Sequence, residues 1–208
     1  SQAPELVRKG WERVLRARLE DARIFWEADL QTTFEQWLSK LDKVTFIGPL
    51  GSMGDKVRRL EKLSAHIAQD LAPALVQEAA RAGLLSKADL VSEMVFEFDT
   101  LQGQMGGIYA RGQGEAEEVA QALYEQYLPA GQDSPLPTST LGAILSMADK
   151  IDNLVGCFGQ DMMPTGTADP YALRRNALGV CRILLDQGWH IDLEALLQTA
   201  QTLYTGVS

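Results

Sequence analysis

Apolar residues recur at intervals of three and four along almost the whole chain. Between residues 4 and 42 the series Leu6, Val7, Val14, Leu15, Leu19, Ile24, Phe25, Leu30, Phe34, Trp37, Leu38 and Leu41 is interleaved with Arg, Glu and Asp. That is the pattern of one apolar helix face. Gly10 is the only internal breaker after Pro4, so the stretch predicts one long helix with at most a kink. Gly48-Pro49-Leu50-Gly51 reads as a turn. A second helix is expected over Asp55 to Leu71, and Pro73 sits where a third would begin. Gly83 is expected to end or loosen that third helix. Ser86 is expected to cap the next, with Asp89 adding a favourable first-turn charge.

Further helices are expected from Glu115 to about Leu128, from Thr140 to Phe158, from Asp169-Pro170 to Gln187, and from Asp192 to about Tyr204. Asp169 reads as an N-cap with Pro170 at the first helical position, and Gly188 as a stop. Residues 130–139 form the clearest loop. Val44-Thr-Phe-Ile is too short to support a sheet. The reading is an all-α chain of eight or so helices. Residues 1–48 would form a long helical arm and residues 49–208 one compact helical unit.

Composition narrows the class. With 208 residues, 46% hydrophobic and 23% charged, the chain can bury one good core or two small ones and is not a disordered tail. No apolar run approaches the ~20 residues of a membrane helix. The opening Ser-Gln-Ala-Pro-Glu has neither an initiator Met nor a signal-peptide layout, so an excised piece of a longer protein is expected. Two cysteines, Cys157 and Cys181, exclude a disulfide framework and suggest a reducing compartment. Two histidines, His66 and His190, exclude a site that needs three.

The net charge of −9 argues against a protein built wholly around nucleic acid. Its distribution changes that picture. Residues 1–60 hold eleven basic and nine acidic side chains, whereas residues 86–133 hold two basic and nine acidic ones. A phosphate-binding surface would lie toward the N-terminal end.

Few residues suggest reaction chemistry. Asp149 lies among apolar neighbours on an expected helix, which makes it half-buried, a metal ligand or base or else a paired carboxylate. The paired reading is favoured, because buried ions are normally paired. The order of Ala82-Gly-Leu-Leu, Ser86-Lys87 and Ala148-Asp149 resembles the HD superfamily of helical metal-dependent phosphohydrolases, with Asp149 at the final ligand position. The ligands depart from it: Ser86-Lys87 stands where the His-Asp doublet belongs, and Lys87 brings a cation to the metal position. A working metallohydrolase is therefore not expected. Cys157 and Cys181 lack zinc-site spacing, and Gly103-Gln-Met-Gly-Gly lacks the Lys of a phosphate loop.

The arginines are more informative. Lys9, Arg13, Arg16 and Arg23 step by four, three and seven, placing them on one helix face with Arg8 and Arg18 beside them. Arg174 and Arg175 fall early in a helix, where cations oppose the dipole and call for an anion. Arg suits phosphate because its planar fork donates two hydrogen bonds while staying charged. Glu12, Glu20 and Asp21 favour surface ion pairs as the plainer role for the first group.

One ordered set of motifs is specific. It runs Trp11-Glu-Arg-Val-Leu-Arg-Ala-Arg-Leu-Glu-Asp-Ala22, Leu50-Gly-Ser-Met-Gly-Asp-Lys56, Arg81-Ala-Gly-Leu-Leu-Ser-Lys-Ala-Asp-Leu90 and Met94-Val-Phe-Glu-Phe98. It continues through Leu101-Gln-Gly103, Tyr109-Ala-Arg111, Ala148-Asp-Lys-Ile-Asp152 and Asp169-Pro-Tyr-Ala-Leu-Arg-Arg-Asn-Ala-Leu-Gly179. The succession resembles the central, HD-like helical region of the β subunit of bacterial heterotetrameric glycyl-tRNA synthetase, over roughly residues 5 to 204.

The resemblance implies a cytoplasmic, non-catalytic segment of an aminoacyl-tRNA synthetase, with no membrane role. Its partners would be the α subunit, the other β-chain domains and tRNA-Gly. It also implies that ATP and Mg²⁺ are used by the α subunit and that this segment holds no cofactor. Arg13, Arg16, Arg18, Arg174 and Arg175 match the family's basic positions and become candidates for RNA contact. Ser86, Lys87 and Asp149 match its degenerate metal positions. A pure scaffold remains the alternative, with an apolar patch exposed.

Overall fold

The computed structural model describes residues 4–166 and 168–204. Among the described residues there are ten α-helices and no strand, only two isolated bridges, so the all-α reading holds. The first helix, α1 (Pro4–Asp29), is followed by α2 (Phe34–Leu41). The single helix expected over 4–42 is thus broken at residues 30–33. Thr33 and Gln36 form a capping box, the Thr33 hydroxyl accepting from the Gln36 N–H and the Gln36 side chain from the Thr33 N–H. Asp29 supplies the second reason for the break. It is buried and accepts the Glu93 and Met94 N–H groups and the Tyr109 hydroxyl, which anchors the end of α1 to another part of the chain.

Helix α3 (Met53–Leu71) starts from a Ser52–Asp55 capping box, and α4 (Val76–Leu85) follows a 3-10 turn at Pro73–Leu75. Gly83 neither ends nor loosens α4. It lies inside the helix, where an added Cβ would fall 2.4 Å from the Leu60 carbonyl oxygen, so its missing side chain is what lets α3 and α4 pack closely. Ser86 does not cap the next helix either. It closes α4, its hydroxyl donating to the Gly83 carbonyl at 2.9 Å. After a 3-10 turn at Ala88–Val91, Ser92 caps the short α5 (Glu93–Glu97).

Helices α6 (Gln104–Gly112) and α7 (Glu117–Glu125) lead to α8 (Thr140–Gly159). Fifteen of the 20 residues of α8 are buried, around its whole circumference, which makes it the central element. Helix α9 (Leu173–Gln187) begins later than expected. Its N-cap is Ala172, not Asp169, although the Asp169 carboxylate accepts the Leu173 and Arg174 N–H groups across a turn in which Pro170 lies before the helix. Gly188, with φ 62°, stops α9, and Asp192 caps α10 (Leu193–Thr202).

The main core joins Leu60, Leu63, Ile67, Leu85, Leu123, Ile144, Leu145 and Ile151 to Phe34 and Trp37 of α2. A smaller cluster gathers around Leu50, Leu154, Cys157 and Leu173. Phe25 and Trp26 of α1 pack on the main core, whereas Pro4 to Asp21 is exposed throughout. Among the described residues no helix is long and apolar enough to cross a membrane.

Candidate functional site

Two features stand out against this frame, a buried ionic cluster between α3, α4 and α8 and a basic surface around the start of α9. The cluster is built from two matched pairs. Lys56 and Arg59 are three residues apart on α3, and Asp149 and Asp152 are three apart on α8, so each pair shares a helix face. Lys56 Nζ lies 2.9 Å from both Asp149 Oδ1 and Asp152 Oδ2. Arg59 Nε donates to Asp152 Oδ1 at 2.7 Å. Lys87, just beyond α4, donates to Asp149 Oδ2 at 3.0 Å and to Gln126 Oε1 at 2.9 Å. Phe46, Tyr204 and Tyr127 present their ring faces to Lys56, Arg59 and Lys87 respectively.

Burial alone would raise the Asp149 carboxyl, yet Lys56 and Lys87 hold it far below the usual carboxylate range. Asp152 is lowered against its own burial by Lys56 and Arg59. Asp149 is therefore a buried, paired carboxylate, not the half-buried one expected. Both of its oxygens face ammonium groups at ion-pair distance, so the residues present do not fit a divalent metal. Among the described residues no three His, Cys, Asp or Glu side chains converge. No step passes through a metal here.

The basic surface is different in kind. Arg174 and Arg175, in the first turn of α9, are exposed. Arg182, two turns on, donates to the Gly131 and Ser134 carbonyls at 2.8 and 3.0 Å. None of the three has a carboxylate within ion-pair distance among the described residues, whereas Arg8, Arg18, Arg23, Arg58, Arg59, Arg81 and Arg111 all do. Arg13 and Arg16 on the exposed part of α1 also lack such a partner among the described residues. Arg18 is engaged: its guanidinium lies 2.6 Å from Glu97 and stands over the Phe98 ring.

The candidate arginines thus fall in separate places, two on α1, two on α9 and one tied into the α1–α5 contact. Lys56, Arg59, Lys150 and Arg182 were not singled out from sequence as functional. The matching i,i+3 spacings of opposite charge on α3 and α8 were the available signal for the first two.

Fold and cluster together define an all-helical protein in which the buried Asp149 and Asp152 are paired with its own cations, while four exposed arginines have no carboxylate partner among the described residues. A family model described as "Glycyl-tRNA synthetase beta subunit" matches residues 1–207, and the chain belongs to that family. Among similar proteins, the glycine–tRNA ligase beta subunit of Oleidesulfovibrio alaskensis is 64% identical over 203 residues, which cover 98% of this chain and 29% of that protein. The namesake from Lawsonia intracellularis is 55% identical over 98% of this chain and 29% of its own length. That from Syntrophomonas wolfei is 47% identical over 98% of this chain and 30% of its own length. The chain spans less than a third of the length of these relatives.

Proposed function

We propose that this segment serves glycyl-tRNA formation without supplying a reacting group. It would hold tRNA and the rest of the β chain in the geometry that delivers the tRNA 3′ end to the α subunit, where ATP and Mg²⁺ are used. Positioning of this kind contributes several kcal/mol to a reaction barrier with no chemical participation. The observation that carries the reading is the pairing pattern of the arginines. In a chain of net charge −9, Arg13, Arg16, Arg174 and Arg175 are exposed and unaccompanied by carboxylates among the described residues. Exposed guanidinium groups without internal partners are suited to phosphate. The neutralised Asp149 cluster supports the non-catalytic part.

A second role is favoured by α1. Val7, Trp11, Val14 and Leu15 continue, toward the N-terminus, the helix face that Ala22, Phe25 and Asp29 turn to the core. Trp11 is 66% exposed. An apolar stripe of this length is suited to packing against another part of the β chain, which would make the segment an architectural link as well as an RNA contact.

The test is tRNA-Gly binding by the full-length β chain carrying Arg13→Ala/Arg16→Ala or Arg174→Ala/Arg175→Ala. At least one double variant is expected to bind ten-fold or more weakly with its folding stability unchanged. Wild-type affinity in both would contradict the RNA reading and leave the architectural one.

A further inference from the structure

Among the described residues four cationic side chains are buried: Lys56, Arg59, Lys87 and Lys150. The first three are each paired with Asp149 or Asp152. Lys150 is the exception. It is 4% exposed, and no carboxylate lies within ion-pair distance of it among the described residues. Its ammonium donates to the Leu128 carbonyl at 3.1 Å and to the Ser146 hydroxyl at 2.7 Å, both uncharged. An ammonium carries three N–H donors, so one remains. A buried cation with neutral partners and a spare donor is incomplete as it stands.

Lys150 lines a cavity of about 420 Å³ between α8, the start of α9 and the 127–130 link. Gly179 makes this possible, because a Cβ there would fall 2.6 Å from Lys150 Cε. The other uncharged polar side chains on the wall, Gln102, Tyr127, Asn153 and Asn176, can each present a donor. Asn153 commits its Oδ1 to Lys56 Nζ at 2.8 Å and keeps its amide N–H groups. Asn176 and Arg175, which has no carboxylate within ion-pair distance among the described residues, also line the cavity. The one carboxylate on the wall, Asp149, is neutralised by Lys56 and Lys87.

We propose that this cavity binds a phosphate group, with the Lys150 ammonium and the Arg175 guanidinium as its principal partners. Phosphate matches the wall because it offers several acceptor oxygens and a charge that suits both a point cation and a planar fork. The volume leaves room for the group that carries it. Burial pushes the Lys150 ammonium down to about 8, and a phosphate beside it would restore the charged form. Arg175 also lines a neighbouring cavity with Arg174 and Arg182, so the cationic surface continues past the pocket, as a chain of phosphates requires.

The phosphate can come from an RNA backbone or from a free nucleotide, and the site does not rest on the tRNA reading. The full-length β chain is titrated calorimetrically with inorganic phosphate, as wild type, Lys150→Met and Arg175→Gln. Saturable binding that weakens at least ten-fold in both variants is expected. Lys150→Met keeps the aliphatic stem, and its unfolding midpoint is measured alongside; Arg175 is exposed, so its replacement does not threaten folding. Competition by tRNA-Gly would assign the phosphate to RNA, and competition by AMP without tRNA would assign it to a nucleotide. Absence of phosphate binding up to tens of millimolar, or equal affinity in wild type and both variants, would overturn the proposal. Because the probe contains no RNA, failure of tRNA binding alone leaves this result standing.

Discussion

Lys87 Nζ and Asp149 Oδ2 lie 3.0 Å apart, joining the end of α4 to the middle of α8 with both side chains buried. The cation therefore closes the position at which the sequence resemblance to metal-dependent hydrolases would seek a metal. Lys56 reinforces it from α3. The same groups that neutralise the centre chemically join three helices mechanically.

Removing the shared carboxylate is expected to be costly. Asp149→Ala would leave Lys87 with no carboxylate and Lys56 with Asp152 alone, at a cost of about 3–5 kcal/mol. Lys87→Met should cost less, since Asp149 would keep Lys56. Urea unfolding of the two variants checks the order; equal losses would show that Lys56 does not compensate.

The pH dependence on the acid side follows from the same pairs. Asp149 and Asp152 stay ionised in the folded protein below the range where their unfolded counterparts take up protons. Their contribution is fully present above about pH 4 and is lost as the pH falls toward the lowered folded values. Unfolding midpoints measured from pH 6 downward should drop less steeply in Asp149→Asn than in wild type.

Lys150 tilts stability in the same direction on the alkaline side, but because its buried charge is a cost that deprotonation relieves. Its folded value of about 8 lies below the ordinary 10.5, so between these limits the unfolded chain holds a proton that the folded one has released. Stability tied to this group should rise with pH across that window. Lys150→Met removes the buried charge and is expected to be neutral or stabilising at pH 7, by on the order of 1–3 kcal/mol at most, and to flatten the alkaline rise. Denaturation at pH 7, 8.5 and 10 tests both.

Gly83→Ala places a methyl 2.4 Å from the Leu60 carbonyl oxygen, against backbone that cannot step aside. Despite the better helix propensity of Ala, a net loss of about 1–3 kcal/mol is expected from forcing α3 and α4 apart. An unchanged unfolding midpoint would contradict the packing described.

Much of the fold was legible because helical periodicity and caps are local signals. Thr140–Gly159, the Gly188 stop and the Asp192 cap lie within a residue of where periodicity and capping chemistry put them. The misreadings share one cause. Whether α1 stops at Asp29 depends on Glu93, Met94 and Tyr109, 64 to 80 residues away. Gly83 reads as a breaker until the Leu60 backbone is seen against it, and Ser86 as an N-cap until the 3-10 turn at Ala88–Val91 intervenes. Of the candidate arginines, sequence supplied positions but not partners. A helical wheel puts Arg18 about 200° from Arg16, on the side of Ala22 and Phe25, but only the fold brings Glu97 to it.

The central claim is that uncompensated arginines hold RNA phosphates, and salt dependence of tRNA-Gly binding tests it most directly. With the full-length β chain, log affinity against log salt concentration should fall linearly, each lost phosphate contact reducing the slope by about 0.7–0.9. Arg174→Ala/Arg175→Ala is expected to reduce the slope by between one and two contacts, while Arg18→Gln leaves it unchanged. A slope identical in wild type and in every arginine variant would contradict the account and make this segment a scaffold alone.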